Sequence, residues 1–286
     1  MKITSKEHEK LVKFIIHNIQ GVSFSYVQKA LRKGNIRVNG KRTKENIDVF
    51  PKDEIDIYIP QKIKPQVPII FEDENILIVN KPQGLECASR DKSSENTYSL
   101  EELFEDKNAI VVHRLDRLTE GLVILAKSKE IAKEFEEIFR TRQIEKSYLA
   151  CVTRKFENEG IKRAYLKKDS QSSLVSISET EKPQYKEIIT EFNVIEYFPN
   201  ATLIEVKLHT GRTHQIRAHL NFLGHPIIND SKYGKEKAMK CSEYAGYFLT
   251  AYKLKFNISG KLKYLNEFKF QITPSWQQAK CLASVR

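Results

Sequence analysis

His113-Arg114-Leu115-Asp116-Arg117-Leu118-Thr119-Glu120-Gly121-Leu122 sets one carboxylate between two guanidiniums, ahead of a turn-forming Thr-Glu-Gly. The apolar run from Leu122 to Ala126 reads as a buried strand, and Ser128 can cap a following helix with Ile131, Phe135, Ile138 and Phe139 on one face. Upstream, Val67 to Phe71 and Ile76 to Asn80 predict a hairpin across Glu72–Asn75 that runs into Lys81-Pro82-Gln83-Gly84, with a polar loop over 86–98. Downstream, Lys146 to Val152 is a strand, the polar stretch 154–183 reads as loop with short strands, and 185–198 with 202–209 form a second hairpin. Gly211 to Leu220 predicts a helix capped by Thr210 or Thr213, with Ile216, Leu220 and Leu223 inward and Gly224 and Pro226 closing it. Hairpins with few helices point to an α+β fold with a mixed or antiparallel sheet rather than the βαβ alternation of a dinucleotide-binding fold. Neither G-x-G-x-x-G nor a P-loop occurs, so no nucleotide cofactor is expected.

The chain has 286 residues, 40% of them apolar, and a net charge of +11, enough for a packed core and a sign that calls for an anionic partner. The choice lies between nucleic acid and a membrane surface. No apolar run approaches the ~18 residues that span a bilayer, and the first residues lack the apolar core of a signal peptide. A cytoplasmic, nucleic-acid-binding protein with no membrane partner is expected. Cys87, Cys151, Cys241 and Cys281 lie far apart without C-x-x-C spacing, which predicts thiols rather than a disulfide framework or a thiolate metal site.

The charge is uneven. Residues 1–62 hold 13 Lys and Arg against 7 Asp and Glu, a net of +6, over half of the total in about a fifth of the chain. Leu11, Phe14, Ile15 and Ile19, then Val27, Ala30 and Leu31, recur at helical spacing, and Gly34 ends the second helix. Ile36 to Lys41 alternates into Asn39-Gly40, a tight-turn signal, and Asp53 to Ile57 alternates again. Two helices and short strands, with Lys29, Arg32, Lys33, Arg37, Lys41 and Arg42 near the second helix, resemble the S4 RNA-binding domain, although its usual Arg-Leu-Asp opening is replaced by Glu9-Lys10-Leu11-Val12-Lys13. The alternative is a solvated basic face. The expected organisation is a small α+β S4-like domain at 1–60, a Pro- and Lys-containing linker at 61–67, and a larger domain at 68–286.

Seven histidines require that a metal site be weighed. His209, His214 and His219 are spaced by five, which turns successive side chains about 140° apart on a helix, so they cannot form an H-x-x-x-H clamp. No metal site is expected, and hydrogen bonds that shape loops are the reading for these rings. Asp116 admits three readings: an ion-pair partner of an arginine, a metal ligand, or a catalytic carboxylate held ionised by guanidiniums. A metal-dependent nuclease would need clustered carboxylates, which the sequence lacks.

The stretch 113–122 closely resembles the central H-R-L-D-x-x-T-S-G-L motif of the RluA-type pseudouridine synthases. Three further blocks agree in order: Val79 to Leu85, Lys146 to Ala150, and Gly211 to Leu220 running into Gly224-His225-Pro226-Ile227-Ile228. An S4 domain before them is an arrangement of that family. The resemblance implies isomerisation of uridine to pseudouridine in structured RNA, without metal, redox group or other cofactor. Large-subunit ribosomal RNA is the favoured substrate and tRNA the second; an RNA-binding ribosome-assembly factor without activity is the alternative from a different class. It further implies that Asp116 is the catalytic carboxylate, Arg217 its buried ion-pair partner and Tyr148 the residue against the target base. Arg114 would enter the RNA helix as the uridine leaves, with Arg212 and His214 among the RNA contacts. The protein is expected to act as a monomer.

Departures from the family pattern are visible too. Glu120 replaces a small hydroxyl residue; it either raises the pKa of Asp116 or points to solvent, and the solvent-facing reading is preferred. Asn229 replaces a glycine in G-H-P-I-x-G-D and is the side chain best suited to a positive φ. Leu85-Glu86-Cys87-Ala88-Ser89 lacks a common histidine, and Thr250 stands where histidine is common.

Overall fold

The computed structural model describes residues 2–19, 24–57, 64–88, 98–169, 174–234, 239–242, 244 and 246–278. These divide into two compact units, one comprising Met1–Pro65 with Ser89–Ser99, the other Gln66–Ala88 with Leu100–Arg286. Residues 61–63 of the expected linker, most of the expected 86–98 loop, and Cys281 lie outside the described residues.

In the first unit, strands β1 (Lys2–Thr4) and β2 (Glu9–Lys10) precede helices α1 (Leu11–Asn18) and α2 (Phe24–Arg32), and β3 (Ile36–Val38), β4 (Lys41–Thr43), β5 (Asp48–Val49) and β6 (Glu54–Ile57) follow. An antiparallel sheet in the order β1-β6-β3-β4 forms one layer, and β2 pairs with β5. Leu11, Ile15, Val27 and Leu31 from the helices pack with Ile36, Ile55 and Ile57 from the sheet, all buried, as the helical and alternating spacings require. Asn39 at φ +49° and Gly40 at +76° make the β3–β4 turn, and Gly34 at +66° ends α2. Lys29, Arg32, Lys33, Arg37, Lys41 and Arg42 are all exposed.

The second unit runs β7 (Ile69–Glu72), β8 (Ile76–Lys81), α3 (Leu100–Leu103), β9 (Ile110–Val111), β10 (Glu120–Ala126), α4 (Lys129–Arg140), β11 (Ile144–Thr153), β12 (Gly160–Lys168), β13 (Val175–Ser178), β14 (Lys186–Tyr197), β15 (Ala201–Leu208), α5 (Gln215–Phe222), β16 (Leu249–Phe256) and β17 (Phe270–Gln271). Among the described residues its strands form one sheet in the order β13-β12-β14-β15-β11-β16-β10-β8-β7, with β17 on β16 and β9 on β10. Neighbours are antiparallel except β10 and β16, which run parallel with Glu120 opposite Thr250 and Gly121 opposite Ala251. The long return between these two strands carries most of the domain.

Helix α4 covers one sheet face through Ile131, Phe135 and Ile138 against Ile78, Leu122, Ile124 and Leu254. Ser128 Oγ accepts from Ile131 N at 3.2 Å, the cap the sequence predicts, worth about 1 kcal/mol. At Gly121, φ is +126° and an added Cβ would lie 2.6 Å from Ala251 N, so only glycine lets β10 and β16 meet there. The polar stretch expected as mainly loop holds β12, nine residues paired on both sides with β13 and β14. Only Ala164 and Leu166 are buried, and Ile161 is exposed alongside Arg163 and Lys168. The alternation is real but short, and the flanking lysines mask it in the sequence. Among the described residues no helix is long and apolar enough to cross a membrane.

Candidate active site

Asp116 sits in a tight turn closed by Thr119 N donating to Asp116 O at 3.0 Å, immediately before β10. The turn is tied to the preceding strand from beneath. Lys81, fully buried at the end of β8, donates to the carbonyls of Pro82 (3.1 Å), Leu85 (2.9 Å) and Arg117 (3.2 Å). Gly84 N donates to Arg117 O at 2.8 Å while Arg117 Nε donates to Gly84 O at 3.0 Å. Burial lowers the Lys81 ammonium to about 8, partly offset by Cys87, Asp116 and Glu120. Lys81 belongs to a quoted block, yet sequence assigns it no role, because its partners are backbone carbonyls that leave no residue signature.

Arg217, on the first turn of α5 and 6% exposed, holds the centre of the site. Its Nη1 donates to Asp116 Oδ2 at 3.0 Å, while Nε and Nη2 donate to Asp230 Oδ2 (2.7 Å) and Oδ1 (3.0 Å). Its Cζ lies over two aromatic rings, 4.3 Å from the Tyr247 centroid and 5.0 Å from that of Tyr233. Burial alone would lower the guanidinium pKa. The hydrogen bonds to Asp230, with the nearby Tyr247, Asp230 and Asp116, raise it instead, so the cation is permanent. Asp230 is 1% exposed and is not singled out by the sequence, although a buried arginine needs more counter-charge than one partly exposed aspartate supplies. It is the sole carboxylate in the stretch 211–230, which was the available signal.

Tyr148, in mid-β11, is 6% exposed, and Tyr252 forms a bulge on β16 between the partners of Ser147 and Tyr148. Burial first, then the nearby Asp116, push the phenol above its ordinary pKa, so it stays protonated. Tyr247 Oη and Thr119 Oγ1 share a hydrogen bond of 3.2 Å, which links the floor of Arg217 to the Asp116 turn. His214 lies beside Asp116, its Nε2 3.8 Å from Oδ2, with Nδ1 2.7 Å from Tyr233 Oη. Arg114, Arg117 and Arg212 are exposed. Asp116, Arg217 and His214 thus come together, Tyr148 lies within electrostatic reach of Asp116, and the basic residues of the first unit belong to the other compact unit.

Several expectations require correction. Glu120 does not face solvent: it is 6% exposed and accepts from Thr250 Oγ1 (2.7 Å), Ser275 N (2.9 Å), Tyr244 Oη (3.1 Å) and Ser275 Oγ (2.5 Å). These donors come from segments 124 or more residues away, beyond anything local spacing can show. Helix α5 begins at Gln215 rather than Gly211, because His214 adopts φ +54°, and neither Thr210 nor Thr213 caps it. Thr210 Oγ1 instead accepts from Ile189 N and donates to Gln215 Oε1, which also accepts from Arg212 N. Cys87 and Cys151 are free and buried, whereas Cys241 is disulfide-bonded, since pairing depends on spatial approach rather than spacing. Asn229 keeps the positive φ expected of it, +65°, and its side chain donates to the carbonyls of Cys241, Tyr244 and Gly246. His209, His214 and His219 each take a different partner, Glu191, Tyr233 and Thr190.

Comparison with known proteins decides the family. The sequence profile of the RNA pseudouridylate synthases matches residues 75–222, which contain the Asp116 turn, Tyr148 and Arg217. The chain belongs to the RNA pseudouridylate synthase family. This synthase is 31% identical to ribosomal large subunit pseudouridine synthase C of Haemophilus ducreyi, over 87% of this chain and 84% of that protein. It is 33% identical to an uncharacterised RNA pseudouridine synthase of Mycoplasma capricolum, over 94% and 95%. Its fold matches human RNA pseudouridylate synthase domain containing 4 with a TM-score of 0.60 at 22% identity, over 73% of this chain and 89% of that one. The synthase is therefore an RluA-type isomerase that converts uridine in RNA to pseudouridine.

Proposed function

We propose that Asp116 is the carboxylate on which this isomerisation turns, and that the substrate is ribosomal RNA of the large subunit, with tRNA the second choice. The reaction breaks the N1–C1′ bond, turns the base and joins C5 to C1′; the C5 proton leaves and N1 gains one. A carboxylate can begin it by attacking C1′ or by removing a proton from C2′, and either route needs an ionised oxygen fixed at the sugar. The observation that carries this reading is the 3.0 Å bond from buried Arg217 to Asp116 Oδ2, beside exposed arginines that suit a polyanion.

In this reading the Tyr148 ring is a flat face for the extruded base, kept neutral by burial. Arg114 takes the place the base vacates and offsets part of the few kcal/mol of unstacking. The first unit, with Lys29, Arg32, Lys33, Arg37, Lys41 and Arg42 exposed, is an S4-like anchor for the RNA backbone. Ribosomal RNA is favoured because relatives that align over most of their length carry ribosomal large subunit in their names, and a ribosomal substrate fits a cytoplasmic enzyme.

Asp116→Asn tests the assignment. Pseudouridine formation should fall at least ~10³-fold, about 4 kcal/mol of transition-state stabilisation, while RNA affinity changes little. A folded variant that retains near wild-type turnover would end it. Pseudouridine mapping in RNA from cells lacking the protein would identify the substrate.

A further inference from the structure

Asp116 has two carboxylate oxygens, and both contacts described for it fall on one of them. Oδ2 receives Arg217 Nη1 at 3.0 Å and faces His214 Nε2 at 3.8 Å; among the described residues Oδ1 has no hydrogen-bond partner. His214 occupies the left-handed region at φ +54° just before α5, uncommon for non-glycine residues although histidine is among those that tolerate it. Its side chain is 15% exposed, so the ring faces inward.

Tyr233 sets the ring's proton. Its Oη accepts from Val175 N at 3.2 Å and lies 2.7 Å from His214 Nδ1. A phenol has one proton to donate. If Nδ1 carried a hydrogen, the phenolic hydrogen would have no acceptor among the described residues. With Tyr233 donating to Nδ1, the arrangement that keeps every hydrogen bond within the protein, the ring hydrogen sits on Nε2, the nitrogen that faces Asp116. Burial lowers the imidazole pKa, with Asp116 opposing, and the neutral ring presents an N–H dipole to the carboxylate.

We infer that His214 is a positioning residue for Asp116: held by Tyr233, it confines Oδ2 together with Arg217 and leaves Oδ1 as the oxygen presented to the sugar. This rests on the proposed role of Asp116. It differs from a role for His214 as an RNA contact, because a positioning group acts on the rate and a phosphate contact acts on affinity.

Two substitutions separate these roles. Asn tolerates the left-handed backbone and keeps a polar atom near Tyr233, but does not reach Asp116; Gln is long enough to place an amide N–H where Nε2 stood. The substrate is total RNA labelled with tritium at uridine C5, extracted from cells lacking this protein, so that turnover is read as tritium release. Full-length His214→Asn should lower the single-turnover rate by about 10- to 100-fold, the scale of a small misplacement of a reacting group. Its RNA dissociation constant should stay within about twofold, a shift of under half a kcal/mol. His214→Gln should recover most of the lost rate. A wild-type rate in His214→Asn, a rate loss matched by weaker RNA binding, or a Gln variant as slow as Asn would each overturn the inference. Should the Asn variant not fold, Tyr233→Phe keeps the ring beside Arg217 and removes the hydroxyl, both the donor to His214 Nδ1 and the acceptor for Val175 N. It should slow tritium release severalfold at unchanged affinity, and an unaltered rate overturns the inference. Asp116→Asn is assayed in parallel. Activity in that variant defeats the reading of Asp116 itself, whereas an inactive Asp116→Asn beside a fully active His214→Asn defeats only the positioning role.

Discussion

Glu120 and Thr250 face each other across the parallel pair β10 and β16, and Thr250 Oγ1 donates to Glu120 Oε1 at 2.7 Å. Both depart from the family pattern, and the structure joins them in one contact. Thr250 Oγ1 also accepts from Trp276 Nε1 at 2.8 Å, and Ser275 donates to Glu120 through its backbone and its side chain. The carboxylate thus fastens the 275–276 segment to the start of β10, four residues after Asp116.

Glu120→Ala should destabilise the protein by about 2–4 kcal/mol, because it leaves buried donors without an acceptor. A carboxylate pointing to solvent would cost at most ~0.5 kcal/mol. Urea unfolding distinguishes the two, and a midpoint equal to that of the wild type would show the network to be energetically idle.

Asp230→Asn keeps the volume but removes the bidentate partner of Arg217, which is 6% exposed. Breaking a buried pair of this kind costs about 3–5 kcal/mol. Asp116→Asn should cost less stability, since the Asp116 side chain is 26% exposed and makes one bond to the arginine. Thermal melts of both variants check the order; a larger loss for Asp116→Asn would mean that Asp230 is not the main counter-charge.

Stability should fall in mild acid. His219 is 1% exposed, its Nδ1 lies 3.0 Å from Thr190 Oγ1, and burial lowers its pKa to about 4. Between that value and an unfolded pKa of about 6.5 the unfolded chain binds the extra proton, so stability rises with pH across this window and is complete above it. The full loss on acidification is roughly 3 kcal/mol. His113, driven well below the ordinary range by burial, acts in the same direction. Comparing melting temperatures from pH 4 to 7 for wild type and His219→Gln should show a shallower dependence in the variant; parallel curves would remove His219 from the account.

The basic face of the first unit should appear in salt dependence. Replacing exposed Lys29, Arg32 and Arg37 by Gln should lower the slope of log affinity against log salt by about 2 units, at roughly 0.7–0.9 per phosphate contact by analogy with DNA. An unchanged slope in filter binding would mean that these side chains do not meet phosphates.

Much of the site was legible because its chemistry lies in contiguous blocks. The pairing of Asp116 with Arg217 follows from the resemblance of two such blocks, and the distance between them is 3.0 Å. Asp230 lay in plain view in one of those blocks without an assigned role, since its partner is 13 residues away and reached only after a helix and a turn. Tyr233 and Tyr247 escaped because an aromatic residue in a loop has no period to mark it. Glu120 was misplaced for a similar reason: a carboxylate beside a turn looks solvated until distant segments supply its donors.

The sequence by itself determined the local elements, where each depends on neighbours a few residues away: the Ser128 cap, the Asn39-Gly40 turn, the positive φ of Asn229, the apolar run of β10. It also carried the motif order on which the family rests. Tertiary structure alone decided which charges were buried and paired. Arg217 is shared between two carboxylates, Lys81 is spent on three carbonyls, and Glu120 is enclosed by Thr250, Tyr244 and Ser275. The physical reason is that burying a charge is unfavourable unless partners surround it. Those partners come from strands and loops far apart in the chain, so no local pattern announces them.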